Sequence, residues 1–217
     1  MSVESGILTY QGKGGIWESY DWEEVACQSA FDRDPKKVLR FHELRRKSIS
    51  TCKPHPGYEI ITRLQQVHPM VTIITQNIDG LHQKSGSINV IELHGSLWRI
   101  RCSREDIVYD DYKKDYKSYN CTCGAFMRPD IIWFGDCLNE ETIQIARDVC
   151  KSCDLFISIG TSGVVSPASS FPQFAKSNGA LMVEINPEVT RTSHLFKEKI
   201  NGTSADVLLD LFPNGIS

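Results

Sequence analysis

Two polar segments close β-branched apolar runs in this 217-residue chain: residues 75–82 read TQNIDGLH and residues 91–96 read IELHGS. A parallel α/β sheet delivers its chemistry at the carboxyl ends of its strands, where amide, carboxylate and imidazole groups can meet a ligand. His94 is the candidate general base, because imidazole titrates near neutrality and can take a proton from a hydroxyl group. Six histidines are present; His94 is set apart by its place at a predicted strand end, with Gly95 leaving room beside it. Gln76, Asn77 and Asp79 can orient a carboxamide and a ribose by directional hydrogen bonds, the plainer alternative being that Asn and Asp merely cap the loop. Gly160, Thr161 and Ser162 follow the run DLFISI and form a glycine turn with two hydroxyls, suited to phosphate or ribose. Asn186 ends the run LMVEIN and can meet a ribose hydroxyl, although Asn-Pro is also a common turn.

Three of the eight cysteines, Cys102, Cys121 and Cys123, crowd one short interval. Thiolates so placed can hold zinc, which takes four ligands at a structural site. The pair C-T-C is tighter than the usual two-residue gap, and the partner expected near position 105 is Glu105. Either Glu105 or a nearby group completes an unusual site, or the segment holds no metal. Cys150 and Cys153 also form C-x-x-C, but at a predicted helix end, where they read as small buried hydrophobes.

These residues need elements to hold them. Apolar Val38, Leu39, Phe41 and Leu44 recur among basic residues and predict a helix over 35–50, capped by Asp34 and begun by Pro35. A second helix is predicted over 56–66. Strands are predicted over 70–75, 88–93, 154–160 and 181–186, with helices over 139–149 and 169–175 between the later ones. This alternation predicts an α/β fold, a Rossmann-like parallel sheet with helices on both faces. Residues 98–127, rich in Tyr, Asp, Lys and Cys, break the rhythm and read as a small inserted cysteine-containing module, zinc-ribbon-like. The division expected is therefore 1–97 with 128–217 as one domain and 98–127 as the insert, with residues 35–66 contributing a helical wall.

A formal charge of -3 and a pI near 6.1 give no electrostatic case for nucleic-acid binding. No apolar run approaches the ~20 residues needed to cross a bilayer, and the N-terminus has no signal-peptide pattern. The default expectation is a cytosolic or nuclear protein.

The ordered series SGILTYQGKGGIW, TQNIDGLHQKSG, IELHGS, MRPDIIWFGD, IGTSGVVSPAS and EIN resembles the sirtuins, NAD-dependent protein-lysine deacylases, over nearly the whole chain. The resemblance implies that His94 is the base acting on the NAD ribose. Gln76, Asn77 and Asp79 would line the nicotinamide and ribose pockets, and Gly160, Thr161, Ser162 and Asn186 would hold the adenosine side. In that family the acyl oxygen of the modified lysine displaces nicotinamide, the base then activates the 2'-hydroxyl, and free lysine and O-acyl-ADP-ribose result. Trp133, Phe134 and Gly135 with Val164 and Val165 would pair in extended form with the acyl-lysine protein or peptide. The three cysteines and Glu105 would take the place of the family's structural zinc site.

The desuccinylase-like branch carries a tyrosine and, three residues on, an arginine at the acyl pocket; the matching positions here are His42 and Arg45. Arg45 would be the partner of an acyl carboxylate, giving a preference for succinyl or malonyl groups. Other positions differ. Gln11 occupies the cofactor-gripping position at which the family has an arginine, and Lys13 replaces a small residue. Relatives carry a first strand and a G-A-G turn ahead of the segment matched by residues 2–6. A weak grip on NAD is therefore also expected, and a truncated or degenerate sirtuin-like protein that keeps a peptide groove stands as the alternative to an active deacylase.

Overall fold

The computed structural model describes all residues except Gln11, Lys13, Asp106 and 214–217. The chain opens with a 3-10 turn, Ser2–Ser5, and passes through short helices α1 (Trp22–Val25) and α2 (Gln28–Arg33) into α3 (Pro35–Ser50) and α4 (Pro56–Val67). Helix α3 starts as its sequence predicts. The Asp34 carboxylate accepts from the Lys37 amide at 3.0 Å and Pro35 fills the first turn, a cap that contributes about 1 kcal/mol. Its Val38, Leu39 and Phe41 are buried, each side chain contributing roughly 1.5–3 kcal/mol.

Strands β1 (Ile73–Thr75) and β2 (Val90–Glu92) flank the one-turn α5 (Leu81–Lys84) and pair in parallel, Ile74 opposite Ile91. Next come β3 (Gly95–Cys102), β4 (Val108–Asp110) and β5 (Met127–Ile131), an antiparallel sheet ordered β4-β3-β5. The rest alternates: α6 (Glu140–Ser152), β6 (Leu155–Ile159), α7 (Phe171–Ser177), β7 (Leu181–Asn186), β8 (Glu198–Asn201) and α8 (Ser204–Leu211), with β6, β7 and β8 parallel.

The two parallel groups form one layer, because the same helices cover both. On one face Ile60 and Ile61 of α4 with Val207 and Leu208 of α8 pack against Ile73, Ile159 and Ile185. On the other, Ile143, Ala146 and Phe171 pack against Ile74, Ile91 and Phe156. This is the doubly covered α/β layer that the alternation predicts. Among the described residues β1 pairs with β2 alone and β6 with β7 alone, so the parallel pairing forms two groups. The strands at 73–75 and 90–92 are shorter than predicted, the first because Val71 is held in a turn by the His68 carbonyl. Strand β3 runs across the expected boundary at 97 and β5 starts at 127, so the insert is rooted in a sheet that reaches into the site.

Arg46, fully buried, fixes α3 to that sheet. It donates to the Leu97 carbonyl at 2.7 Å, pairs with Asp111 at 3.1 Å and lies 4.0 Å over the Tyr116 ring. Removing one partner of such a buried pair costs roughly 3–5 kcal/mol. No described helix is long and apolar enough to cross a membrane.

Candidate functional site

His94 sits at the corner between β2 and β3. Its Nδ1 lies 3.0 Å from the Gln76 carbonyl oxygen, which can only accept, so Nδ1 carries the proton and Nε2 keeps the lone pair. Burial holds the imidazole below its ordinary pKa, with the Gln76 carbonyl opposing, and the ring is therefore neutral at physiological pH. Gly95 makes the corner possible: at φ +74 it presses on the Asp130 carbonyl, and a Cβ there would come within 2.1 Å of that oxygen.

The other strand-end groups connect to this corner. Gln76 Nε2 donates to Thr161 Oγ1 at 3.3 Å, and Asn186 Nδ2 donates to the Thr161 carbonyl at 2.7 Å. Gly160 takes φ +59 and Ser162 is exposed at the rim. Asn77 Nδ2 donates to Ser2 Oγ at 2.7 Å, and Ser2 donates to Asp79 at 2.6 Å. Burial raises the Asp79 pKa, while the Ser2 hydroxyl and the Leu81 amide oppose it by bonding to the carboxylate. Tyr58, buried, reaches Ser2 at 3.1 Å, and Trp98 Nε1 donates to the Asp79 carbonyl at 2.6 Å. Ser2, Tyr58 and Trp98 were not singled out in the sequence. The signal was a hydroxyl in the matched segment of residues 2–6, but its partners are 56 to 77 positions away.

Arg45 and His42 part company although they share a helix. His42 turns into the core, lies nearly parallel to Trp133 with ring centroids 5.8 Å apart, and accepts from its Nε1 at 3.1 Å. Burial and the neighbouring guanidinium groups of Arg128, Arg45 and Arg46 push its pKa down to about 3. It is a neutral acceptor at the indole N–H of Trp133, whose ring carries Arg128 over it at 3.5 Å. Arg45 instead lines a cavity of about 200 Å³ with Leu8, Ile16, Phe41 and Leu44. It is 7% exposed, its Nε has no hydrogen-bond partner, and no carboxylate pairs with it among the described residues. Tyr10 joins it, the guanidinium carbon lying 5.2 Å from the ring centroid. Gln11 and Lys13 lie outside the described residues.

Beside this cavity Phe134 is exposed and rests on Trp22, ring centroids 4.6 Å apart. Val164 and Val165 are exposed as well. The amides of Gly135, Val164 and Val165 find no main-chain carbonyl among the described residues, so extended main chain can add to them.

In the insert, one ligand atom each from Cys102, Glu105, Cys121 and Cys123 falls within 4.8 Å of the others. Cys102 and Cys123 sulfurs are 3.5 Å apart, and Cys121 Sγ is 3.7 Å from Glu105 Oε2. A tetrahedral ion with metal–sulfur bonds of about 2.3 Å needs this spacing, so the four groups fit zinc. The Arg104 and Glu105 amides donate to Cys102 Sγ at 3.4 and 3.3 Å, which favours the thiolate.

A family model described as the Sir2 family matches residues 1–167. The NAD-dependent protein deacylase of Aquifex aeolicus is 40% identical over 206 residues, covering 92% of this chain and 86% of the relative. NAD-dependent protein deacylase 2 of Pyrobaculum aerophilum is 41% identical over 210 residues, covering 96% and 84%. Among solved structures, a Sir2 homologue mutant in complex with ADP-ribose superposes with a TM-score of 0.91 at 34% identity, covering 97% of this chain and 86% of the other. A Sir2 homologue in complex with NAD gives 0.89 at 34% identity, covering 97% and 83%.

Proposed function

The chain belongs to the Sir2 family, and we propose that it is an NAD-dependent protein-lysine deacylase with a preference for acyl groups that end in a carboxylate. The observation behind the reaction is the continuous hydrogen-bonded run from His94 through Gln76 and Thr161 to Asn186 at one rim of the sheet. NAD, when bound, supplies the ribose carbon that exchanges nicotinamide for the acyl oxygen of lysine, and O-acyl-ADP-ribose leaves with the acyl group.

The chain's own residues do the rest. His94 takes the ribose hydroxyl proton at Nε2, while the Gln76 carbonyl keeps Nδ1–H in place and stabilises the imidazolium that forms. Asn77, Asp79 and Ser2 form a fixed array of donors and acceptors for the nicotinamide ribose, and Gly160, Thr161, Ser162 and Asn186 hold the adenosine side. Phe134, Gly135, Val164 and Val165 bind the peptide main chain beside Trp133, and Cys102, Glu105, Cys121 and Cys123 hold one structural zinc ion.

The acyl preference rests on Arg45. A buried guanidinium that pairs with no carboxylate among the described residues is costly, and an acyl carboxylate entering its cavity would supply the missing charge. The test is mass-spectrometric detection of nicotinamide and O-acyl-ADP-ribose from NAD with acetyl- and succinyl-lysine peptides, with His94→Ala as control. Products that need both NAD and His94 are expected. A folded chain that forms none would instead support a degenerate relative that only binds peptide.

A further inference from the structure

The corner that carries His94 joins two sheets that share no ladder among the described residues: β2 ends at Glu92 in the parallel layer, and β3 begins at Gly95 in the antiparallel sheet. One side chain bridges them. Arg99 Nη1 lies 2.5 Å from Glu92 Oε2, and its Nε lies 2.9 Å from Asp130 Oδ2 on β5. The reach comes from a slip in β3, where Ser96 faces Asp130 but the next position, Pro129, is not faced until Ile100, leaving Arg99 in the bulge between them. Such a bulge bends the strand and re-aims the side chains within it.

We propose that Arg99 is a positioning residue for the general base: it neutralises Glu92 and Asp130 from two different sheets and so fixes the angle at which His94 is presented. The inference rests on the deacylase reading of His94. Asp130 is the key, because both of its ends matter. Its carboxylate is held by Arg99, and its main-chain oxygen is the surface against which Gly95 turns. Glu92 extends the clamp by accepting from Gln83 on α5 at 2.8 Å, which ties in the loop that carries Asp79. Without the guanidinium, two carboxylates from opposing sheets would lose their shared counter-charge, and the corner would open.

In the proposed reaction nicotinamide leaves before His94 acts. Exchange of labelled nicotinamide into NAD in the presence of an acetyl-lysine peptide therefore reports the step that does not need the base. Arg99→Met is expected to lower deacylated product roughly 10- to 100-fold while exchange stays within about twofold, since displacement of a base by 1 Å suffices for such a loss. In the NAD-free protein, the ¹⁵N-histidine signal of His94 is expected to change from the Nδ1–H tautomer to a mixture. Arg99→Lys, which keeps the cation, is expected to recover most of the loss. Equal falls in product and exchange, or an unchanged tautomer signal, would overturn the assignment. If Arg99→Met does not fold, Glu92→Gln combined with Asp130→Asn carries the same test. A wild-type chain that forms no NAD-dependent product would sink the deacylase reading, and the tautomer signal would then decide the role of Arg99.

Discussion

The Nδ1 of His94 lies 3.0 Å from the main-chain oxygen of Gln76, which fixes one tautomer and leaves Nε2 as the basic atom. Burial lowers the His94 pKa, so the neutral, active form persists to a pH below the ordinary histidine value of 6.5. The kcat/KM–pH profile, which reports the free enzyme, is therefore expected to lose its acid side below pH 6.5, and His94→Ala to remove turnover with the melting temperature little changed. A limb centred above 6.5, or turnover by the alanine variant, would contradict the assignment.

Arg45 is the buried cation of the cavity that the proposed reading gives to the acyl group. Arg45→Met is expected to lower kcat/KM on succinyl-lysine by roughly 100-fold, the cost of leaving a desolvated carboxylate unpaired. Acetyl-lysine, which brings no charge, should be almost unaffected. Parallel losses on the two peptides would show that Arg45 serves the fold and not the acyl group.

His42 accepts the Trp133 indole proton only while neutral, and its pKa is about 3 in the folded chain against 6.5 for the free side chain. Below pH 6.5 the unfolded chain binds this proton and the folded chain does not, so stability falls as pH falls. Between pH 6.5 and 4 the loss from this group is on the order of 3 kcal/mol. Buried His82, with a pKa of about 4, works in the same direction. Urea unfolding at a series of pH values measures the slope, and His42→Leu should flatten it.

The Cys102, Glu105, Cys121 and Cys123 cluster is expected to hold one zinc ion per chain through three thiolates and one harder carboxylate. Cobalt substitution should give thiolate-to-metal absorption that grows in Glu105→Cys and falls in Cys121→Ser. Zinc should leave Glu105→Cys more slowly when a chromogenic chelator is added. Identical spectra for wild type and Glu105→Cys would remove residue 105 from the ligand set.

Local signals were the legible ones. Asp34 followed by Pro35 announces a helix start within four residues, and the run ending in TQN announces a strand followed by polar groups. The α/β layer follows from their alternation. What sequence could not convey depends on distant partners. His42 is drawn away from the cavity by Trp133, 91 positions later, although spacing places it on the same helix face as Arg45. Ser2 meets Asp79 across 77 positions. Strand β4 is exposed along its whole length and has no apolar alternation to betray it, so it and most of β3 read as parts of an irregular insert.

Gly95 has a genetic consequence. On any substitution scale an alanine codon there would pass as conservative, and the residue bears no reactive group. Yet the added methyl would fall within 2.1 Å of a main-chain oxygen, at a backbone angle that L-residues rarely adopt. A missense change at Gly95 should therefore behave in inheritance like loss of His94 itself, a null allele disguised as a neutral one.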